Sequence, residues 1–294
     1  TRAFVETSQR NSKVEGEVTA ASRRAAYDAN CRYWRKDRPE GMTVEDLTCE
    51  GPRGPIPLRR YLPAAGPGSA FILYLHGGGF VVGSLDSHDT ICAEICVGTG
   101  LELVSVDYRL APEHVFPAAF EDALDVLRAL LGEGYPVIVA GDSAGGTLAA
   151  GLARLACEEG LSGVVGQALI YPGLGGDLSR GSFVEMARAP GLSTDDVAYY
   201  RRIYAAPEDD VHAHPLRAAD FAGLPPAFVC AAHFDPLRDD ARHYAAQLAL
   251  AGVDVTYRED AQMIHAWLRA RHMSPGAKAG FAAVVRGIAG LAGV

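Results

Sequence analysis

The sequence lacks any apolar run long enough to cross a bilayer. A transmembrane helix needs at least about eighteen consecutive apolar residues, and no run here reaches that length. Residues 1–16 are polar and lack the apolar core of a signal peptide. Because the chain begins with Thr1 rather than Met, the earlier removal of a leader stays open. We therefore expect no membrane partner.

A basic patch is also absent. The 294 residues carry a formal net charge of −9, and the charged side chains are spread along the sequence. Nucleic acid and anionic membrane surfaces attract clustered Lys and Arg side chains. Both are therefore poor candidates for a partner of this protein.

Cysteine is sparse and scattered. Several of the six cysteines lie within apolar runs, where a free thiol behaves as a small hydrophobic group. Cys92 and Cys96 are four residues apart on a predicted helix face, which does not suit a disulfide. We expect all six thiols to be reduced, which favours the cytoplasm. The six positions are Cys31, Cys49, Cys92, Cys96, Cys157 and Cys230.

Neither internal repeats nor low-complexity tracts are present, and short apolar runs alternate with helical segments. The composition is 49% hydrophobic, so the chain can bury a large core. The alternation predicts an α/β fold with a mostly parallel sheet of about eight strands and helices on both faces. The predicted strands cover residues 44–49, 56–62, 71–75, 103–108, 137–140, 168–171, 227–231 and 253–258, the first two as an antiparallel pair. The main predicted helices cover residues 118–131, 145–159 and 238–251.

Two segments depart from this alternation. In residues 1–40, Tyr27, Cys31 and Trp34 fall on one helical face. The segment between the strands 168–171 and 227–231 is too long for a plain crossover, and a helix is predicted to begin in it at Ser193 or Thr194. We expect residues 1–40 and an insertion at about 178–215 to form a small helical cap over a hydrolase domain of residues 41–294.

Residues 141–145 read Gly-Asp-Ser-Ala-Gly and carry the strongest functional signal. An apolar strand precedes them and an Ala/Leu-rich helix follows, which is the context of a nucleophile elbow. The glycines are required because side chains there would collide with the neighbouring strand or helix. The alternative is a serine that merely caps the helix. The strand-turn-helix context favours Ser143 as a nucleophile.

A serine nucleophile needs a base and an orienting carboxylate, both at the ends of later strands. Asp235 follows the strand 227–231, and His265 follows the last predicted strand. His272 is the main rival to His265, but it lies a full segment later. The other competitors fall within the helix 238–251 and are Asp239, Asp240 and His243.

Residues 76–80, His-Gly-Gly-Gly-Phe, follow the strand 71–75 directly. Consecutive glycines allow backbone N–H groups to face a pocket and to stabilise an oxyanion. Ala144, the residue after the nucleophile, is expected to supply another N–H donor. A flexible turn or a phosphate loop is the alternative, but neither the Lys-Ser/Thr pair nor the G-x-G-x-x-G spacing of phosphate loops is present.

His212 and His214, which have Asp209 and Asp210 close by, are candidate metal ligands. Polar side chains in a loop are more often solvated than ligating. We therefore interpret this cluster as a solvated loop and expect no metal.

Taken together, the motifs resemble the bacterial hormone-sensitive-lipase-like carboxylesterases of the α/β-hydrolase fold. The resemblance covers about residues 40–290. The motifs that carry it are His-Gly-Gly-Gly at 76–79, Tyr-Arg-Leu-Ala-Pro-Glu at 108–113, Gly-Asp-Ser-Ala-Gly-Gly at 141–146, Asp-Pro-Leu-Arg-Asp at 235–239 and Met-Ile-His at 263–265.

The resemblance implies a serine hydrolase that cleaves esters of short to medium acyl chains through an acyl-enzyme. It implies a cap and no cofactor, with a small-molecule ester as the partner, and a homodimer is left open. The implied roles are Ser143 as nucleophile, Asp235 as acid, His265 as base, and Gly78, Gly79 and Ala144 as oxyanion-hole donors.

The chain departs from the family around the base. Gln262 stands where a glycine commonly precedes the Met, and Ala266 and Trp267 stand where Gly-Phe commonly follows the His. We expect the indole of Trp267 to crowd the pocket and to exclude long acyl chains. The same machinery acting on an aryl formamide, amide or lactone is the alternative. A non-catalytic receptor is disfavoured because His265 is present.

Overall fold

The apolar runs of the sequence pair into one mixed sheet. The computed structural model describes residues 2–14 and 17–294, so Thr1, Glu15 and Gly16 of the predicted cap lie outside the described residues. Over those ranges the sheet has eight strands in the order β1-β2-β4-β3-β5-β6-β7-β8. The strands are β1 Met42–Gly51, β2 Gly54–Pro63, β3 Phe71–Leu75, β4 Glu102–Val106, β5 Val137–Asp142, β6 Val164–Ile170, β7 Ala227–Phe234 and β8 Val255–Ile264.

The strand β2 pairs antiparallel with both β1 and β4, and the remaining neighbours pair parallel. The predicted mostly parallel α/β sheet is therefore confirmed. Only β3 has the predicted bounds, and every other strand differs at one or both ends. The last strand continues to Ile264, and β4 ends at Val106. Beyond Val106, the Tyr108 ring stacks on His76 with 4.3 Å between centroids, so the chain turns away from the sheet.

Helices fill the connections between the strands. They are α1 Arg2–Asn11, α2 Ala20–Trp34, α3 Leu85–Thr99, α4 Ala118–Gly132, α5 Ala144–Glu158, α6 Ser182–Glu185, α7 Thr194–Tyr204, α8 Arg238–Leu250 and α9 Pro275–Leu291. Ser193 caps α7. Its hydroxyl accepts from the backbone N–H of Asp196, and its own backbone N–H donates to the Asp196 carboxylate. This capping box explains why the helix begins where the sequence indicated.

The core lies on both faces of the sheet because successive strand residues point to opposite sides. On β3, Leu73 belongs to the cluster covered by α4, α5 and α8, whereas Ile72 and Tyr74 belong to the cluster covered by α3 and α9. All of β3, β4 and β5 is buried. The carboxyl ends of these central strands therefore form a rigid edge on which a site can be built.

The two helical additions lie beside that edge. Arg24 of α2 donates to the backbone carbonyls of Val81 and Ala111 and pairs with Glu113 at 2.6 Å. The segment between β6 and β7 carries α6 and α7.

All six cysteines are free thiols. Within the described ranges, none of the helices combines the length and the apolar character that a bilayer crossing requires.

Candidate active site

The turn between β5 and α5 presents Ser143 above the sheet edge. Ser143 has φ 55° and ψ −119°, a backbone conformation that L residues rarely adopt. A Cβ on Gly145 would lie 1.8 Å from the carbonyl oxygen of Leu75, and a Cβ on Gly141 would lie 2.6 Å from the same atom. The motif needs glycine at both positions because the turn passes directly against β3.

The structure brings Ser143, His265 and Asp235 together from three strand ends. The Oγ of Ser143 lies 2.9 Å from Nε2 of His265, and Nδ1 of His265 lies 2.6 Å from Oδ2 of Asp235. Oδ1 of Asp235 accepts a bond of 2.9 Å from the N–H of Leu237. Asp235 is fully buried and His265 is 8% exposed. Such a chain of bonds can take the proton of a serine hydroxyl during attack.

The competing acids and bases are occupied elsewhere. Nε2 of His272 lies 2.9 Å from Glu94, and the side chain is 41% exposed. Asp239 accepts from the backbone N–H of Ser182, whereas Asp240 accepts from the N–H groups of Leu174 and Gly176. These carboxylates hold the loop that follows β6, and none of them contacts His265 in the described bonds.

The loop after β3 is shaped by its glycines. Gly78 has φ 138° and Gly79 has φ 59°, and a Cβ on Gly78 would lie 2.0 Å from the carbonyl oxygen of Val82. The ring of Tyr200 packs on Gly79, leaving no room for a Cβ there. Ala144 is the first residue of α5, so its N–H has no partner within the helix. Gly78, Gly79 and Ala144 line one cavity together with Ser143.

Asp142 ties this loop to the elbow. Its Oδ1 accepts from the N–H of Gly77 at 3.0 Å and from the hydroxyl of Tyr74 at 2.9 Å, and its Oδ2 accepts from Tyr171 at 3.3 Å. Burial raises the pKa of both tyrosines far above the usual range, so both hydroxyls remain protonated donors. The carboxylate thereby fixes the first glycine of the loop relative to Ser143.

The ionisation of Asp142 follows from these donors. Burial alone would raise its pKa, but the neighbouring His88 and the hydrogen bonds hold that pKa below its usual range. Nε2 of His88 lies 3.3 Å from Oδ1 but is not aligned for a hydrogen bond. Since burial lowers the pKa of His88 itself, this imidazole is neutral near pH 7. With this imidazole neutral, the charge of Arg269 and the hydroxyl and amide donors stabilise the ionised carboxylate.

The helix α2 reaches the same loop from above. The hydroxyl of Tyr27 donates to the carbonyl of Gly77 at 3.4 Å and accepts from Arg269. The Arg269 guanidinium is buried and lies 4.9 Å from the Tyr27 ring centroid. The N-terminal segment is therefore in contact with the loop that carries Gly78 and Gly79.

A cavity of about 1040 Å³ opens onto Ser143. Besides the elbow and the glycine loop, it is lined by residues of the N-terminal segment, such as Ser12, and by residues of α7, such as Tyr200. The expectation that Trp267 crowds this pocket is wrong. Trp267 is 1% exposed and packs in the core against Tyr171, because Ala266 at φ 60° turns the chain away from the cavity.

His212 and His214, the two histidines of the 209–214 loop, lie in different surroundings. His212 points to Glu158, with 2.8 Å between Nε2 and Oε2, whereas His214 is 7% exposed and lines the cavity. The interpretation of both as solvated was therefore wrong for His214. Among the residues described, no three His, Cys, Asp or Glu side chains are grouped to hold a metal ion.

Sequence reasoning found Ser143, Asp235 and His265 because each follows a strand end. It did not find the roles of Asp142 and Tyr27 in holding the glycine loop. The place of Asp142 within the Gly-Asp-Ser motif was a usable signal, since a buried carboxylate next to a nucleophile needs donors. The sequence marks Tyr27 only as a member of one helical face with Cys31 and Trp34, and nothing in it indicates a contact with the glycine loop.

Comparisons with known proteins show which family the chain belongs to. The pattern of a family described as alpha/beta hydrolase fold matches residues 72–269. Esterase LipI of Mycobacterium tuberculosis is 44% identical over 242 residues, covering 77% of this chain and 75% of that protein. An ethyl acetate hydrolase of Pseudomonas putida is 34% identical over 268 residues, covering 86% and 84%. The structure of an esterase from Pyrobaculum calidifontis superposes with a TM-score of 0.90, at 33% identity and 99% coverage of each chain.

Gly145→Ala tests the close approach of α5 to β3. Because the added methyl group would overlap the Leu75 carbonyl, we expect a loss of about 3 kcal/mol or more of stability, or an elbow displaced enough to abolish activity. Thermal unfolding and ester hydrolysis are the measurements. Gly132→Ala is the matched control, since its Cβ would meet nothing within 4 Å. An unchanged melting temperature and full activity for Gly145→Ala would contradict the geometry.

Proposed function

Because this chain belongs to the alpha/beta hydrolase fold family and is a carboxylesterase, we propose that Ser143 is its nucleophile, with His265 as base and Asp235 as the orienting acid. The observation that carries this assignment is the chain of hydrogen bonds from Ser143 Oγ through His265 to the buried Asp235. The carboxylate of Asp235 accepts a hydrogen bond from Nδ1–H of His265. Nε2 of the neutral imidazole is then free to accept the serine proton.

In the first half of the reaction, Oγ of Ser143 bonds to the ester carbonyl carbon while its proton passes to Nε2 of His265. The carbonyl oxygen becomes an oxyanion, and the N–H groups of Gly78, Gly79 and Ala144 stabilise it. The carbon–oxygen bond to the alcohol then breaks, and His265 returns the proton to the leaving alcohol. An acyl group remains on Ser143.

In the second half, His265 takes a proton from a water molecule that attacks the acyl carbon. A second oxyanion forms in the same set of N–H donors. It collapses, the bond to Ser143 Oγ breaks, and Oγ recovers its proton from Nε2. The carboxylic acid leaves and the enzyme returns to its starting state. No cofactor is needed for any of these steps.

We further propose that residues 1–40 and the insertion at about 178–215 act as a cap. The contact of Tyr27 with the glycine loop and the packing of Tyr200 on Gly79 support this proposal. A cap excludes water and strengthens the electrostatic interactions of the site.

The six free thiols, four of them buried, favour a reducing compartment such as the cytoplasm.

Replacing the nucleophile tests the assignment directly. Ser143→Ala should lower kcat by about 10⁴-fold or more, because no hydroxyl remains for His265 to activate. A fluorophosphonate should label Ser143 in the wild type, as read by mass spectrometry of peptides. Ser69→Ala, an exposed serine, is the control and should keep full activity. Labelling of another serine, or retained turnover in Ser143→Ala, would overturn the assignment.

The base is tested by comparing two histidines. His265→Ala should abolish hydrolysis, whereas His272→Ala should keep most of it, because His272 contacts Glu94 on the surface. The imidazole of His265 must be neutral to act, since only a neutral imidazole can accept the serine proton. The reverse outcome for the two variants would transfer the role of base to His272.

Acyl-chain length is the third test. We expect p-nitrophenyl esters of about two to eight acyl carbons to be best, each methylene adding at most about 0.8 kcal/mol until the pocket is full. Longer alkyl chains would have to desolvate polar lining groups such as Arg201 and Arg217. The name of the Pseudomonas putida relative, an ethyl acetate hydrolase, supports short acyl groups. Values of kcat/KM along the series in detergent-free buffer decide, and a maximum at lauroyl or beyond would refute the expectation.

A further inference from the structure

The cavity is richer in positive charge than the chain as a whole. The chain has a net charge of −9, yet five arginines and only three carboxylates line the cavity. The arginines are Arg23, Arg201, Arg202, Arg217 and Arg269, and the carboxylates are Asp142, Asp177 and Glu208. A local excess of one charge sign in a cleft raises the concentration of ligands of the opposite sign. This distribution indicates an anionic group on the substrate.

Among these arginines, Arg201 is the one placed to bind such a group. It is partly buried on α7, donates to the carbonyl of Gly176 at 2.9 Å, and lies 5.6 Å from the ring of Phe183. Within residues 2–14 and 17–294, no carboxylate lies within 4.0 Å of its nitrogens. Burial lowers its pKa, but arginine remains charged in proteins. A partly buried guanidinium without a carboxylate partner is poorly compensated.

The carboxylates whose charge acts on Arg201 have other partners. Asp177 accepts from the backbone N–H and the hydroxyl of Ser179 and pairs with Arg180 at 3.1 Å. Asp240 attracts Arg201, but its Oδ2 accepts from the backbone N–H groups of Leu174 and Gly176. Glu208 forms an ion pair with Arg217 at 2.5 Å, and its side chain is 74% exposed. Arg217 is therefore already paired at the rim of the cavity. Of these two arginines, Arg201 is the one without a carboxylate of the described residues within ion-pair distance.

His214 supplies a second, independent indication. It is 7% exposed, it lines the cavity, and its Nε2 is buried without a hydrogen-bond partner in the described structure. Gly175 leaves room for it, since a Cβ there would lie 2.6 Å from the Cβ of His214. Burial and the charges of Arg201 and Arg217 lower the pKa of His214, so the imidazole is neutral. Buried polar nitrogens are normally paired, so this nitrogen has capacity for one further hydrogen bond.

The Gly176 carbonyl that accepts from Arg201 lies in a loop, residues 173–176, and this loop is fixed to α5. The hydroxyl of Thr147, one turn after Ser143, donates to the carbonyl of Gly173 at 2.5 Å. Gly173, Gly175 and Gly176 line the same cavity as Ser143. A substrate bound at Ser143 can therefore extend along this loop toward Arg201.

We propose that Arg201 and His214 form a subsite for a carboxylate carried by the substrate at a distance from the scissile ester. The preferred substrates are then esters with a free carboxylate, either on the acyl side, as in monoesters of dicarboxylic acids, or on the alcohol side, as in acyl esters of hydroxy acids. The guanidinium binds one or both carboxylate oxygens, and Nε2–H of His214 donates to the same group. This inference rests on the proposed role of Ser143.

Two pairs of probes test the subsite, each comparing a carboxylate with its neutral amide. Monoethyl adipate against ethyl adipamate examines the acyl side, and 4-acetoxybutanoate against 4-acetoxybutanamide examines the alcohol side. Because hydrogen bonds to charged groups contribute about 1.5–3 kcal/mol, the wild type should favour the carboxylate in one pair by about tenfold or more in kcat/KM. The pair that shows the preference identifies the side.

Arg201→Gln should bring the carboxylate-to-amide ratio of kcat/KM to about one. Arg201→Lys keeps the charge but loses the paired N–H groups of the guanidinium, so it should retain part of the preference. Turnover of the amide probe reports whether each variant is folded. Arg188→Gln, an exposed arginine of the same segment outside the cavity, is the matched control and should leave the ratio unchanged. Arg202→Gln removes a charge from the cavity but not from the subsite, and the ratio should change by less than about twofold.

The outcomes separate the two proposals. If the wild type hydrolyses p-nitrophenyl acetate but shows no carboxylate preference in either pair, the subsite is refuted and the role of Ser143 stands. The subsite is also refuted if Arg201→Gln keeps the preference, or if Arg202→Gln loses it equally, since that would indicate a general field. If Ser143→Ala retains turnover of p-nitrophenyl acetate, the proposed function itself falls.

Discussion

The close approach of α5 to the end of β3 is the constraint on which the rest of the site depends. Gly145 lies so near the Leu75 carbonyl that no side chain fits between them. This contact forces a sharp turn after β5 and holds Ser143 at φ 55°. The hydroxyl is thereby lifted out of the sheet edge, while the N–H of Ala144 at the start of α5 is left without an intrahelical partner. One steric contact therefore places both the proposed nucleophile and one of the proposed oxyanion-hole donors.

The rest of the site is assembled from neighbouring strand ends. In the sheet order β3-β5-β6-β7-β8, the glycine loop follows β3, Ser143 follows β5, Asp235 follows β7 and His265 follows β8. Parallel strands deliver these residues to one edge because all their carboxyl ends lie on the same side. Asp142 directly precedes Ser143, and its buried carboxylate accepts a hydrogen bond from the N–H of Gly77. This bond joins the glycine loop to the turn that carries Ser143. If these donors moved away, the buried carboxylate of Asp142 would be left unpaired. Because that is unfavourable, the arrangement is rigid.

How far the sequence predicts this structure depends on the kind of information required. Strands β3 and β5 were predictable because strands buried on both faces are continuous apolar runs. Ser143 was predictable because it comes close after such a run, and Asp235 and His265 were predictable because they follow later predicted strands in the order that a serine nucleophile requires. The extension of β8 was missed because Glu259 and Asp260 are polar in an edge strand. The directions of Trp267 and His214 were missed because they depend on the turn at Ala266 and on the packing of Gly175, which no periodicity encodes.

The central claim is that Ser143, His265 and the glycine loop act on one carbonyl carbon. Its most direct test is a crystal structure of the enzyme inactivated by an alkyl phosphonate, whose tetrahedral phosphorus mimics the oxyanion intermediate. The account predicts a bond from Ser143 Oγ to phosphorus, with the phosphonyl oxygen about 2.7–3.1 Å from the N–H groups of Gly78, Gly79 and Ala144. A phosphonyl oxygen turned away from those groups, or an adduct on any other residue, would contradict it.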